Sequence, residues 1–152
     1  MDLQLTSKER SLLQDQLKHE EICIQKYSNY AQQAQDPRLQ QLFNQYATQE
    51  QQHYDTINQL LQGQQPNLGS SSSGQQLSGQ ADMAGMASQQ DAALCQDMLM
   101  TEKYVSQTYD TAVFEAANPA VRQALQHIQR EEQDHGEGIF NYMQQNGLYN
   151  PQ

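Results

Sequence analysis

Apolar residues recur along this chain at alternating steps of three and four, the spacing that lines one face of an α-helix. Four such stripes are present. The first carries Leu13, Leu17, Ile24, Tyr27 and Ala31, and the second Leu39, Phe43, Tyr46, Ile57 and Leu60. The third offers Cys95, Leu99, Tyr109 and Val113, and the fourth Val121, Leu125, Ile128, Ile139 and Tyr142. Punctuation residues bound them. Thr6 followed by Glu9 is a capping-box start. Asp36-Pro37 and Asn118-Pro119 each end one helix and open the next with proline at the first helical position. Gly147, with Pro151 beyond it, closes the last. Breaks this short join antiparallel neighbours. The pattern predicts an all-α protein of two helical hairpins, residues 6–62 and 91–147.

Every stripe is interrupted by groups that do not belong in hydrocarbon. Glu20 breaks the first, Glu50 and His53 the second, Glu102 the third, and Glu132 and His135 the fourth. The interruptions repeat. Shifted by 82 residues, the interval from Glu20 to Glu102, "LLQDQLKHE" falls on "LCQDMLMTE". Tyr27 then falls on Tyr109, Pro37 on Pro119, Glu50 on Glu132, His53 on His135 and Ile57 on Ile139, without a gap. The hairpin is duplicated. Residues 63–90 between the copies are rich in Gly, Ser and Gln and lack sustained periodicity, as expected of a linker or long surface crossover. A crossover of that length can span a helix of about 37 Å, at 1.5 Å per residue. Helices 2 and 3 can then run parallel. The expected fold is a ferritin-like antiparallel four-helix bundle, single-domain over residues 1–152, in place of the simple up-down-up-down form.

The interrupting residues form a ligand set. One helix of each hairpin gives a lone Glu and the other gives Glu-x-x-His, the arrangement of carboxylate-bridged di-metal bundles. Residues i and i+3 share a helix face, so Glu and His can reach one ion together. A single Glu-x-x-His arises by chance in polar helices. Two copies, each 30 residues after a core-facing Glu, are specific. Four carboxylates and two neutral imidazoles balance two divalent cations, which removes the penalty of burying unpaired charge. Oxygen donors with imidazole favour Fe or Mn over a metal that prefers thiolate. The expected cofactor is therefore two divalent ions, Fe or Mn, held by Glu20, Glu50, His53, Glu102, Glu132 and His135. The alternative is an inherited polar core without metal, satisfied by water and shared protons.

Composition narrows the function. The formal net charge is −10 and Lys and Arg form no cluster, which argues against a nucleic-acid or anionic-membrane surface. No apolar run approaches 18 residues, and "MDLQLTSKER" lacks the order of a signal peptide. Cys23 and Cys95 occupy apolar positions and read as reduced structural thiols. Glutamine supplies about one residue in five, giving helix faces that are polar but weakly charged. Tyr27 and Tyr109 read as core tyrosines within reach of a bridging carboxylate. Asp15 and Asp97 read as surface contacts, with orientation of a His ring as the alternative, Glu21 and Glu131 as solvated neighbours of the stripes or extra ligands that swing in, and His19 and His127 as surface residues.

The stretches "QEQQHYDTINQLLQ", "DMLMTEKYVSQTYDTAVFEAANPAVRQAL" and "IQREEQDHGEGIFNYMQQNGLY", with "KHEEICIQKYSNYAQQAQDPRLQQLF" before them, resemble the spore coat protein F family of endospore-forming bacteria. The resemblance covers nearly the whole chain except the Gly/Ser-rich linker. It implies a ferritin-like fold, synthesis in the mother-cell cytoplasm, a place in the spore coat and other coat proteins as partners. It implies no established reaction. Val105 stands three residues after Glu102, where peroxide-reducing rubrerythrins would place a second Glu, and no rubredoxin-like cysteine set is present. Two functions follow as expectations. One is a structural, protective coat block whose Gln-rich faces suit packing with itself as a homo-oligomer or with neighbours, with Lys26 or Lys103 as sites of cross-linking to Gln. The other is a di-iron or di-manganese oxidoreductase that consumes O2 or peroxide.

Overall fold

The computed structural model describes residues 3–68 and 88–148. Among them the chain is all-helical: α1 (Ser7–Gln33), α2 (Pro37–Leu61), α3 (Gln89–Glu115) and α4 (Pro119–Gln145). The caps explain the boundaries. Thr6 accepts a hydrogen bond from the Glu9 amide while the Glu9 carboxylate accepts one from the Thr6 amide. Asp36 and Asn118 cap α2 and α4 through the Arg38 and Ala120 amides, with proline next in each. Gly63 and Gly147 have φ of 80° and 68°. Each passes the chain out of its helix through a left-handed residue, and the Leu148 amide closes α4 on the Met143 carbonyl. Helix α3 begins at Gln89, capped by Ser88, slightly before the expected start at 91. Most of the Gly/Ser/Gln-rich segment lies outside the described residues.

Cross-helix hydrogen bonds set the directions. Glu20, Tyr27 and Tyr30 of α1 meet Tyr109, Glu102 and Asp97 of α3, so one number rises as the other falls. His53 and Gln49 of α2 meet Glu131 and His135 of α4 in the same sense. Helices α1 and α3 are antiparallel, as are α2 and α4, and α2 therefore runs parallel to α3. The end of α2 lies by Arg10 at the start of α1, whereas Asp91 at the start of α3 lies by Gln35 after the end of α1. The two hairpins are also clipped at their turns. Glu9 accepts from the Asn118 amide, and Asp91 accepts from the amides of Gln35 and Asp36. Each buried carboxylate thereby satisfies backbone donors that the other hairpin's turn leaves without intrahelical partners.

Two apolar layers fill the bundle. One gathers Leu39, Phe43, Met98 and Ile139 toward the inter-helix turns of the first hairpin, and the other gathers Leu13, Ile57, Leu60, Val121 and Leu125 toward the opposite end. The core faces differ in detail from the expected stripes. Leu17, Ile24, Leu99 and Val113 sit at their edges and are only half-buried, while Cys23, Met98, Val105 and Ala112 take the buried positions. Both cysteines are free and buried. No helix among the described residues is long and apolar enough to cross a membrane. Between the two apolar layers lies a polar one.

Candidate metal centre

Glu20, Glu50, His53, Glu102, Glu132 and His135 are all at most 2% exposed and converge in that layer. The four helices each deliver their part. Glu50 and His53, and likewise Glu132 and His135, share a helix face at spacing i, i+3. His53 Nδ1 lies 2.7 Å from Glu50, 3.6 Å from Glu20 and 3.8 Å from Glu132. His135 Nδ1 lies 2.9 Å from Glu102, 3.3 Å from Glu132 and 3.8 Å from Glu50. Glu50 and Glu132 thus reach both imidazoles, whereas Glu20 is near His53 alone and Glu102 near His135 alone. That places Glu50 and Glu132 between two positions and Glu20 and Glu102 at the outer side of each. The imidazole rings lie nearly parallel, 6.0 Å apart.

The surroundings orient these groups. His53 Nε2 is 2.7 Å from Glu131, and His135 Nε2 faces the Gln49 side-chain oxygen. Carboxylate and amide oxygens only accept, so both Nε2 atoms are donors and both Nδ1 atoms turn inward. The Tyr27 hydroxyl donates to Glu102 at 2.7 Å, and Tyr109 donates to Glu20 at 2.5 Å. Tyr46 stacks on the His135 ring at 4.1 Å. Sequence reasoning had Tyr27 and Tyr109 chiefly as core residues and Glu131 as a solvated neighbour. In the structure the tyrosines hold the outer carboxylates, and Glu131, only 13% exposed at its side chain, holds His53 with His127 3.5 Å behind it. Gln49 went unremarked. The signal for it is that Gln49 and Glu131 stand one residue before the two Glu-x-x-His motifs, 82 apart. Asp97 binds Lys26 and Tyr30, as a surface contact should. His19 is half-buried against Gln16 and Tyr104.

Electrostatics follow from so many acids in one place. Burial, then the charge of Glu132, pushes Glu20 up to about 8 and Glu102 up to about 7, and raises Glu50 well above the carboxylate range. Glu132 goes the other way: burial opposes its charge, but the close approach of His135, 3.3 Å away, and the charge of His53 overcome it. Burial also disfavours imidazolium, yet the hydrogen bond with Glu102 and the nearness of Glu132 raise His135 to about 9. Glu20 and Glu131 raise His53 well above its usual value against the same penalty. Without metal the layer is thus neutralised by protons.

Few amide, hydroxyl or imidazole donors reach its oxygens. One oxygen each of Glu20, Glu50 and Glu102, and both of Glu132, are buried without a geometrically acceptable hydrogen-bond donor. A buried acceptor of this kind costs about 1–3 kcal/mol when left alone. Glu20, Glu50, His53 and Glu132 offer ligand atoms within 4.8 Å of one another, and so do Cys23, Glu50, Glu102 and Glu132. The donor set fits a cation. Cys23, read from sequence as a structural thiol, stands three residues after Glu20 and thus on the same face.

Residues 90–152 match the sequence model of the Coat F domain. No curated protein and no solved structure matches the chain. The matched segment contains Glu102, Glu132 and His135, with Tyr109 and Glu131 beside them, while the remaining half of the centre comes from the hairpin that precedes it.

Proposed function

We propose that this protein is a structural and protective component of the bacterial endospore coat, built as a ferritin-like bundle of two duplicated hairpins with a long crossover. In this reading its centre holds two divalent ions, Fe or Mn. Glu20, Glu50, His53 and Glu132 would hold one, and Glu50, Glu102, Glu132 and His135 would hold the other. The Coat F domain supports the coat assignment. The observation that carries the metal reading is the set of five buried carboxylate oxygens without donors, facing two inward Nδ1 atoms. Bound cations would satisfy those oxygens and balance the four carboxylates. They would also tie four helices together, because each helix contributes a ligand, and so stabilise the folded state by mass action. Other coat proteins are its partners. Lys26 is engaged with Asp97 and Thr101, so Lys103, exposed on α3, is the better candidate for cross-linking to glutamine.

The test is metal analysis of protein purified without chelators, beside the Glu50→Gln/Glu132→Gln variant. Two Fe or Mn per chain, a raised melting temperature and loss of both in the variant are expected. A wild-type protein that neither takes up nor is stabilised by Fe or Mn overturns the metal reading. The same loaded sample addresses the oxidoreductase alternative, which predicts repeated turnover of O2 or peroxide; a coat block gives at most a single oxidation. Immunolabelling of sectioned spores tests location, and label confined to the spore core would overturn the coat assignment.

A further inference from the structure

Two cavities open near the centre, and they differ in kind. One, about 290 Å³ between α1 and α3, has apolar Ile22, Met100 and Val105 in its wall and touches Cys23 but none of the six Glu and His residues. The other, about 770 Å³, lies between α3 and α4 and reaches Glu102 and Glu132 directly. Its lining mixes apolar surface with the polar side chains of Ser106, Gln107, Thr111, Gln129 and Gln133 and two opposite charges, Lys103 and Asp110. At its inner end Glu102 Oε1 and both Glu132 oxygens are the buried acceptors without donors. A route from solvent to an unsatisfied carboxylate, lined by amide and hydroxyl oxygens, suits a hydrated cation. Those oxygens can replace water ligands one at a time. The chain's net charge of −10 adds a general attraction for cations.

The groove exists because the two hairpins differ at this face. Gly136 borders it, and a Cβ built there meets nothing within 4 Å. The residue 82 positions earlier is Tyr54. Likewise Ser106 corresponds to Ile24 and Gln129 to Ala47. Tyr54 and Ile24 are both half-buried, so the first hairpin carries bulk where the second leaves space. Gln129 donates to the Ser106 carbonyl at 2.9 Å, a polar bridge between α3 and α4 for which Ala47 has no equivalent side chain.

From this asymmetry we infer that the α3–α4 groove beside Gly136 is the entry route by which divalent cations reach the buried centre, and that the matching face of the first hairpin is closed. The inference rests on the metal reading above and adds a direction to it. Entry is then from the Glu102–His135 side, and the ion passes Ser106 and Gln129 before it meets Glu102 and Glu132. Because the groove is a path and not a ligand, closing it changes the rate of uptake and leaves the amount bound unchanged.

Cobalt(II), whose visible spectrum changes on coordination, serves as the probe in stopped-flow mixing with metal-stripped full-length chain. Gly136→Tyr, which copies the first hairpin, is expected to slow uptake by about tenfold or more, the effect of a barrier raised by one decade in rate. The final stoichiometry should equal wild type, and Gly136→Ala should bind at the wild-type rate. Adding Tyr54→Ala to Gly136→Tyr should restore part of the lost rate by opening the other face. Ser106→Ile gives a second block from the opposite wall should Gly136→Tyr fold poorly. Unchanged rates in both blocking variants, with two ions still bound, overturn the entry route while leaving the metal centre intact. A wild-type chain that binds no cobalt, iron or manganese removes the metal reading and the route together.

Discussion

Raising the pH should melt the metal-free protein more easily, against the usual behaviour of an acidic chain stripped of nothing. The perturbation is a pH series from 5 to 8.5 on protein freed of metal. In the folded state Glu20 keeps its proton to about 8 and Glu102 to about 7, and Glu50 is raised well above the carboxylate range, all chiefly by burial and then by Glu132. Their unfolded values lie near 4.3. A carboxyl with a raised folded value favours folding while it is protonated in both states, and loses that advantage as pH rises from its unfolded value to its folded one. Histidines add to the same slope. His135, raised to about 9, and His53, raised well above its usual value, contribute stability that is lost as pH climbs above about 6.5. Each proton held by the folded chain and released by the unfolded one gives about 1.4 kcal/mol per pH unit. At about 2–4 °C per kcal/mol for a chain of this size, a single net proton lowers the melting temperature by roughly 3–6 °C per pH unit. The opposing groups act mostly in acid. Glu132, Glu131, Glu9, Asp36 and Asp97 have lowered values, so their contribution is complete above about pH 5, and His19, lowered by burial, opposes the slope only below about 6.5. Thermal melts followed by circular dichroism read the slope directly. Glu20→Gln should flatten it, since Gln mimics the protonated carboxyl, and bound Fe or Mn should flatten it by replacing the protons. A metal-free melting temperature that is level or rising from pH 5 to 8 refutes the reasoning.

Other substitutions probe single contacts. Tyr109→Phe and Tyr27→Phe each remove the donor to a buried carboxyl, of Glu20 and Glu102 respectively, and should cost about 1–3 kcal/mol in denaturant melts. Asp91→Ala strands the Gln35 and Asp36 amides at the inter-helix turn, for a loss of about 2–6 kcal/mol, twice that for one unsatisfied group. Gly136→Ala, with open space around its Cβ, should gain about 1 kcal/mol from helix propensity. Gly138→Ala should lose stability instead, because its Cβ would collide with the Tyr46 hydroxyl and push that ring off His135. Titration calorimetry should find metal affinity lowered by about 10–100-fold in Glu131→Gln at the His53 position, the usual effect of weakening the group behind a ligating imidazole.

The helices and the six converging residues were legible because both are matters of spacing. A stripe at steps of three and four specifies a helix face, and a charge on that stripe must be buried with it. What spacing could not locate are groups whose role depends on a neighbouring helix. Gln49 and Glu131 each turn about 100° from the adjacent ligand on their own helix, which alone suggests solvent. Because α2 and α4 pack antiparallel, that turn aims each one at the other hairpin's imidazole. The stripe edges were misjudged for a related reason. On a straight helix Leu17, Ile24, Leu99 and Val113 drift off the seam, and Cys23, Met98, Val105 and Ala112 drift onto it. The groove was hidden because it is made by a missing side chain, and a reading built on apolar residues registers what is present.

These hidden features share one property: they are where the two hairpins stop matching. Glu faces Glu, His faces His and Tyr faces Tyr across the repeat, but Gln49 answers Glu131, Val105 answers Cys23 and Tyr54 answers Gly136. Each mismatch touches the buried layer or the way into it. A block whose only task was to fill space would gain nothing from keeping the ligands paired while its backing groups diverge. The divergence gives the two positions different surroundings. His53 is backed by a carboxylate, and His135 by an amide with a stacked tyrosine, a nearby thiol and an open groove. A carboxylate makes the imidazole it holds a stronger donor than an amide does. On the metal reading, the His53 position should therefore bind an ion more tightly, although the groove opens on the His135 side. Two resolved binding steps in calorimetry are the expected result, and Gln49→Glu should bring them together. A single step of two equivalent ions in the wild type would show that the backing groups do not distinguish the positions.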